Sequence, residues 1–108
     1  MKFFFYLIFI VFLFSINSCT SNKKEPDKYD AYVMMKKFVD DKLVSPSSAE
    51  YESISTIGIK QEGNIWAFDG YVDSQNSFGA MIRNKFTIAI RYNSSTNDWS
   101  LLNLFFNE

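Results

Sequence analysis

Histidine is absent from the chain, and that absence removes more chemistry than any other. The commonest general base, the commonest metal ligand and the base of Ser-His and Cys-His nucleophile pairs all go with it. Cysteine occurs once, at Cys19, so one chain can form no internal disulfide and assemble no zinc site of Cys and His. The four glycines, Gly58, Gly63, Gly70 and Gly79, are dispersed, and none opens a helix as a phosphate-binding loop requires. An excess of one charge is also lacking, since 11 basic residues stand against 12 acidic ones. Such a balance offers no electrostatic footprint for nucleic acid, which is not expected as a partner. The longest apolar run, Phe3 to Phe14, falls short of the ~20 residues that a membrane-spanning helix needs.

That run has the length of a signal-peptide apolar region, and Met1-Lys2 before it supplies a minimal positive start. Small polar residues then lead to Cys19. The segment Ile16-Asn17-Ser18-Cys19 resembles a bacterial lipoprotein signal, with an aliphatic residue three before the cysteine and a small one just before it. Asn17 departs from the small residue usual at the middle position. The resemblance implies that residues 1–18 are cleaved and that Cys19 is diacylated, which also accounts for an odd cysteine in an exported chain. A single acyl chain binds membranes marginally and two or more hold firmly. Thr20 after the cysteine is not the aspartate associated with inner-membrane retention, which favours the outer membrane in a Gram-negative cell. The expected location is therefore the bacterial cell envelope.

Removing residues 1–18 takes Lys2 alone among the charged residues, leaving ten basic against twelve acidic. Residues 19–28 form a lipidated cysteine and polar tether with no apolar periodicity. Residues 29–108 are expected to make one domain, long enough to bury a modest core without disulfides. A helix is predicted over Asp27–Val44: Asp27 suits the N-cap, Asp30 suits the first turn, and Tyr32, Met35, Val39 and Leu43 follow helical spacing. Ser45-Pro46 stops it. Ala49 to Ile59 then alternates as a half-buried, bulged strand. Ile65 to Asp73 places Trp66, Phe68 and Val72 on one face. A polar turn, Ser74 to Ser77, leads into Ala80–Tyr92, where Phe86, Ile88, Ile90 and Tyr92 share one parity. Asn84 falls on that same apolar parity. Trp99 to Phe106 is apolar on both parities, which predicts a strand that is central or covered on both sides.

Short connections favour an antiparallel meander. The expected fold class is α+β: one N-terminal amphipathic helix on a four-stranded antiparallel meander sheet. That order resembles the cystatin-like two-layer arrangement, in which a curved sheet wraps a single helix. Ser45-Pro-Ser-Ser-Ala-Glu-Tyr51 and Gly70-Tyr-Val-Asp-Ser-Gln-Asn-Ser-Phe-Gly-Ala-Met-Ile-Arg83 also resemble a small domain that recurs in bacterial exported proteins and lipoproteins. The likeness spans roughly Ala31 to Leu104 and brings no assigned activity.

The second of these segments holds the densest set of polar groups. Asp69 and Asp73 share a strand face, but acids so placed are ordinarily solvated surface, and no catalytic residue is assigned. Asp73 and Asn76 lack the acid density of a calcium loop, so neither metal nor cofactor is expected. Two readings of the segment stand side by side. In one, Asp73, Gln75 and Asn76 close the turn themselves, Phe78 folds back over the sheet and Arg83 pairs with Asp69, Tyr71 or Asp73. In the other, Phe78 is an apolar anchor and Gln75, Asn76 and Arg83 are polar contacts of a recognition loop. The function expected is that of a non-enzymatic, membrane-anchored envelope lipoprotein, a small binding module for an envelope protein or glycan. An inhibitor or immunity-type lipoprotein blocking an enzyme or toxin is the alternative, by fold analogy alone.

Overall fold

The computed structural model describes residues 24–107. The segment 1–18 expected to be cleaved and the expected lipid site Cys19 lie outside the described residues. Helix α1 runs Lys28–Asp40. It opens on a complete capping box: the Asp27 carboxylate accepts from the Tyr29 and Asp30 amides at 3.0 Å each, and the Asp27 amide donates to Asp30 at 2.9 Å. Asp30 is thus a capping partner, which satisfies two otherwise orphaned groups at the helix start. The carboxyl of Asp27 is held below its ordinary range chiefly by the Asp30 amide.

Two parts of the sequence expectation are corrected here. The helix is the first described element but is not N-terminal in the chain, and it ends at Asp40, four residues short of Val44. Asp40 and Asp41 occupy its last positions, where acids oppose the helix dipole. Asp40 instead accepts a hydrogen bond from the Tyr51 hydroxyl. The sheet has five strands, not four: β1 Glu50–Tyr51, β2 Gly58–Glu62, β3 Ile65–Gln75, β4 Met81–Asn93 and β5 Asp98–Asn107. All pairings are antiparallel. Strands β1 and β2 lie end to end on the same edge of β3, so what reads as one bulged strand is a strand broken by the excursion Glu52–Ile57.

The excursion has a packing cause. Ile57 swings inward and is buried, and its side chain sits over Gly70 of β3. A Cβ built on Gly70 would come within 2.6 Å of Ile57, so only glycine admits the plug. One helix face meets the sheet: Ala31, Met35 and Val39, all fully buried, lie against Phe68, Val72, Phe86, Ile88 and Ile90. Burying a side chain of the larger kinds contributes about 1.5–3 kcal/mol. Two tyrosines tie the layers together, Tyr32 donating to the Glu52 carbonyl at 2.7 Å and Tyr51 to the Lys36 carbonyl at 3.1 Å.

Strand β5 corrects the expectation of a central position. It is the sheet's outer row beyond β4. Its register slips by one residue, Ala89 facing Asn103 and Ile90 facing Leu101, which leaves Leu102 as an extra residue in a β-bulge. Trp99 and Leu101 before the bulge, and Leu104 and Phe106 after it, therefore all pair with inward residues of β4. A one-residue insertion exchanges the faces of everything beyond it. Apolarity on both parities records that exchange, not burial on both sides.

Candidate functional site

Strands β3 and β4 form a long hairpin whose last pair is Gln75 and Met81. Strand β3 continues past the expected Asp73 to Gln75, with Ser74 buried, so the turn is Asn76–Ala80. Asn76 builds it. Its side-chain oxygen accepts from the amides of Phe78 at 2.9 Å and Ala80 at 3.0 Å. Its backbone accepts from Gly79 at 3.0 Å and donates to Ala80 at 2.9 Å. Gly79 takes a φ of 83°, a conformation that favours glycine. The base of the turn is clamped from outside: Ser48 accepts from the Gln75 amide at 2.9 Å while donating to the Ser45 carbonyl at 2.7 Å. The two sequence segments quoted above, 45–51 and 70–83, are thus neighbours, joined further by the Glu50–Asp73 and Tyr51–Val72 pairs.

The five candidate residues divide into two groups. Asp73 and Arg83 face each other across the hairpin and make a two-pronged ion pair at 2.8 and 3.0 Å. The guanidinium also stacks on Tyr71, 3.8 Å from the ring centre. The hydrogen bond from Arg83 holds the Asp73 carboxyl below its ordinary range, and the same bond raises Arg83. These two groups satisfy each other. Asn76 is engaged within the turn. Phe78 does not fold back: its ring is 93% exposed at the tip, beside the exposed Gln75.

A feature that sequence reasoning missed lies just below the tip. Because α1 stops at Asp40, the far end of the sheet's inner face is left open, and a groove of about 260 Å³ runs there. Leu43, Val44, Ser74, Ile82, Asn84 and Phe106 are among its lining. Val44 is 73% exposed and Ile82 41%, and Met81 at the base of the turn is exposed as well. Asn84 was the available signal, since a polar residue on an apolar parity marks where the core ends.

Among the described residues no cluster of His, Cys, Asp or Glu is arranged to hold a metal ion. No described helix is long and apolar enough to cross a membrane. Comparison with models of protein families, with curated proteins and with solved structures gives no match.

Proposed function

We propose that the chain is a non-enzymatic envelope lipoprotein, held to a membrane through lipid on Cys19, that acts as a small binding module. Its fold is of the cystatin-like, two-layer kind, and its contact surface is the tip of the β3–β4 hairpin. One observation carries the reading. The Phe78 side chain stands almost wholly in solvent on a turn whose hydrogen bonds use the Phe78 amide but not its ring. Aromatic side chains on rigid supports are favoured interface anchors, because little freedom remains to be lost on binding. Met81, Ile82 and Val44 extend the apolar surface towards the groove. Asp73 and Arg83 serve as its brace rather than as contacts, given their mutual pairing.

The tip is well separated from the point where the tether enters. Pro26, Asp27 and Lys28 lie beside Ile59 and Trp66, near the start of β3. The eleven residues of β3, at ~3.3 Å each, put about 35 Å between that end and the turn. The partner is an envelope protein or glycan, and the outer membrane is the favoured location because Thr20 follows Cys19.

The test is affinity capture from detergent-solubilised envelopes with the full chain and with Phe78→Ala. Capture of a partner should fall at least tenfold with Phe78→Ala while the circular dichroism is unchanged. Equal capture by both forms removes the hairpin tip from the account. Recovery of a toxin or hydrolase whose activity falls on addition of the chain would make this an inhibitor or immunity-type lipoprotein.

A further inference from the structure

We infer that the outer edge of β5, which no described strand covers, pairs with the β5 edge of a second copy, antiparallel, joining two sheets into one. The molecule guards its two edges unequally. The β1–β2 edge is broken by the Glu52–Ile57 excursion and carries Glu50, Lys60 and Glu62. Breaks and charges of this kind are how sheets discourage edge pairing. Strand β5 is ten residues long, about 34 Å at ~3.4 Å per residue, and Trp99 to Phe106 contains no charge and no proline. Leu102, Phe105 and Phe106 are exposed along it.

The backbone groups available at that edge follow from the alternation of the ladder. The Tyr92 amide donates to the Asn64 carbonyl on the β3 side, so inward residues of β4 bond towards β3 and its outward residues bond towards β5. The outward residues of β5 answer them. Trp99, Leu101, Leu104 and Phe106, which face inward, therefore turn their N–H and C=O groups to the free edge.

These four residues choose a second copy over an unrelated strand, because they are symmetric about the bulge. A two-fold axis between Leu102 and Asn103 sets Trp99 opposite the other copy's Phe106, and Leu101 opposite its Leu104. Inward side chains then meet inward ones, Ser100 meets Phe105 on the outer face, and about eight backbone hydrogen bonds close. Without the one-residue slip at Leu102, the same pairing would set inward residues against outward ones along the whole strand. Charge agrees with this register, since Asp98 would face Asn107 rather than another acid. The axis runs normal to the sheet, as an antiparallel joint requires. Both helices and both Asp27 N-termini then emerge on one face, where a single membrane can hold both chains.

The experiment is native mass spectrometry of the full chain released from detergent micelles, with variants at the joint. The parent should appear at twice the chain mass. Leu102→Lys with Asn103→Lys, both at exposed positions, clusters four lysines on the axis, where like charges oppose pairing. Association should weaken at least tenfold, while Glu62→Lys on the guarded edge leaves the dimer intact. Ser100→Cys with Phe105→Cys should give a covalent dimer on mild oxidation, beyond any seen in the parent through Cys19. Ser100→Cys with Asn107→Cys, out of register, should not. The cysteine pairs decide the matter even if the lysine variant misfolds. A monomeric parent, a folded lysine variant that stays dimeric, or equal cross-linking by both cysteine pairs overturns the inference.

Discussion

Gly70 is the position where one methyl group would do most damage. An added Cβ would press on Ile57 at 2.6 Å and on the Glu52 carboxylate at 2.9 Å, closer than unstrained contacts allow. Gly70→Ala should cost about 1–3 kcal/mol, the usual range for overpacking, with the fold retained. Urea unfolding measures it, and the Ile57→Ala background supplies the control. With the plug removed, the cost of Gly70→Ala should shrink towards zero, because the two substitutions share one contact. An undiminished cost would place the strain elsewhere. The sequence shows Gly70 only as a glycine in a strand. Its reason is legible only once the broken edge brings Ile57 over it. Asp27 is the opposite case, since capping needs residues that are neighbours along the chain; Asp30 was legible as a first-turn acid, and its return bond to the Asp27 amide is what the structure adds.

At the scale of elements, β1 is two residues long and depends on Tyr51 for its hold on α1. The Tyr51 hydroxyl shares its one proton between the Lys36 carbonyl and, more closely, Asp40. Burial first, then the bond to Asp40, pushes its ionisation above the ordinary tyrosine value. A group whose folded-state value is raised contributes fully below its unfolded value, near pH ~10, and loses that contribution as pH climbs through the folded value. Stability should therefore decline above pH ~10. Tyr51→Phe should lower stability at neutral pH by about 0.5–1.5 kcal/mol and flatten part of that alkaline decline in thermal melts. An alkaline limb identical in both forms would assign it to other groups. Periodicity made α1, β3 and β4 legible because each keeps one repeat throughout. The bulge in β5 was not legible, since an inserted residue and a doubly covered strand leave the same pattern, and only the partner's register separates them. The end of α1 was misplaced because Leu43 continues the apolar spacing, while the competing pull on Asp40 comes from Tyr51, eleven residues on.

For the whole molecule, one helix over an antiparallel sheet followed from the order of elements and their short connections. The candidate site was legible as a segment but not as a division of labour. Asp73 and Arg83 look like functional polar groups until they are seen to face each other across the hairpin. Phe78 could fold back over the sheet or stand out as an anchor, and the turn closes through its amide while its ring stays in solvent. The groove below the tip depends on where a helix stops against a sheet, and Asn84, polar on an apolar parity, was its one local signal. The proposed anchor is what would make these surfaces an envelope module, and every proposed partner depends on it. The most direct measurement is the intact mass and tryptic N-terminal peptide of the chain recovered from bacterial membranes. A chain beginning at Cys19 with two or three acyl groups is the result expected. A mature chain that begins elsewhere, or an unmodified Cys19, would contradict the lipoprotein reading and take the envelope partners with it.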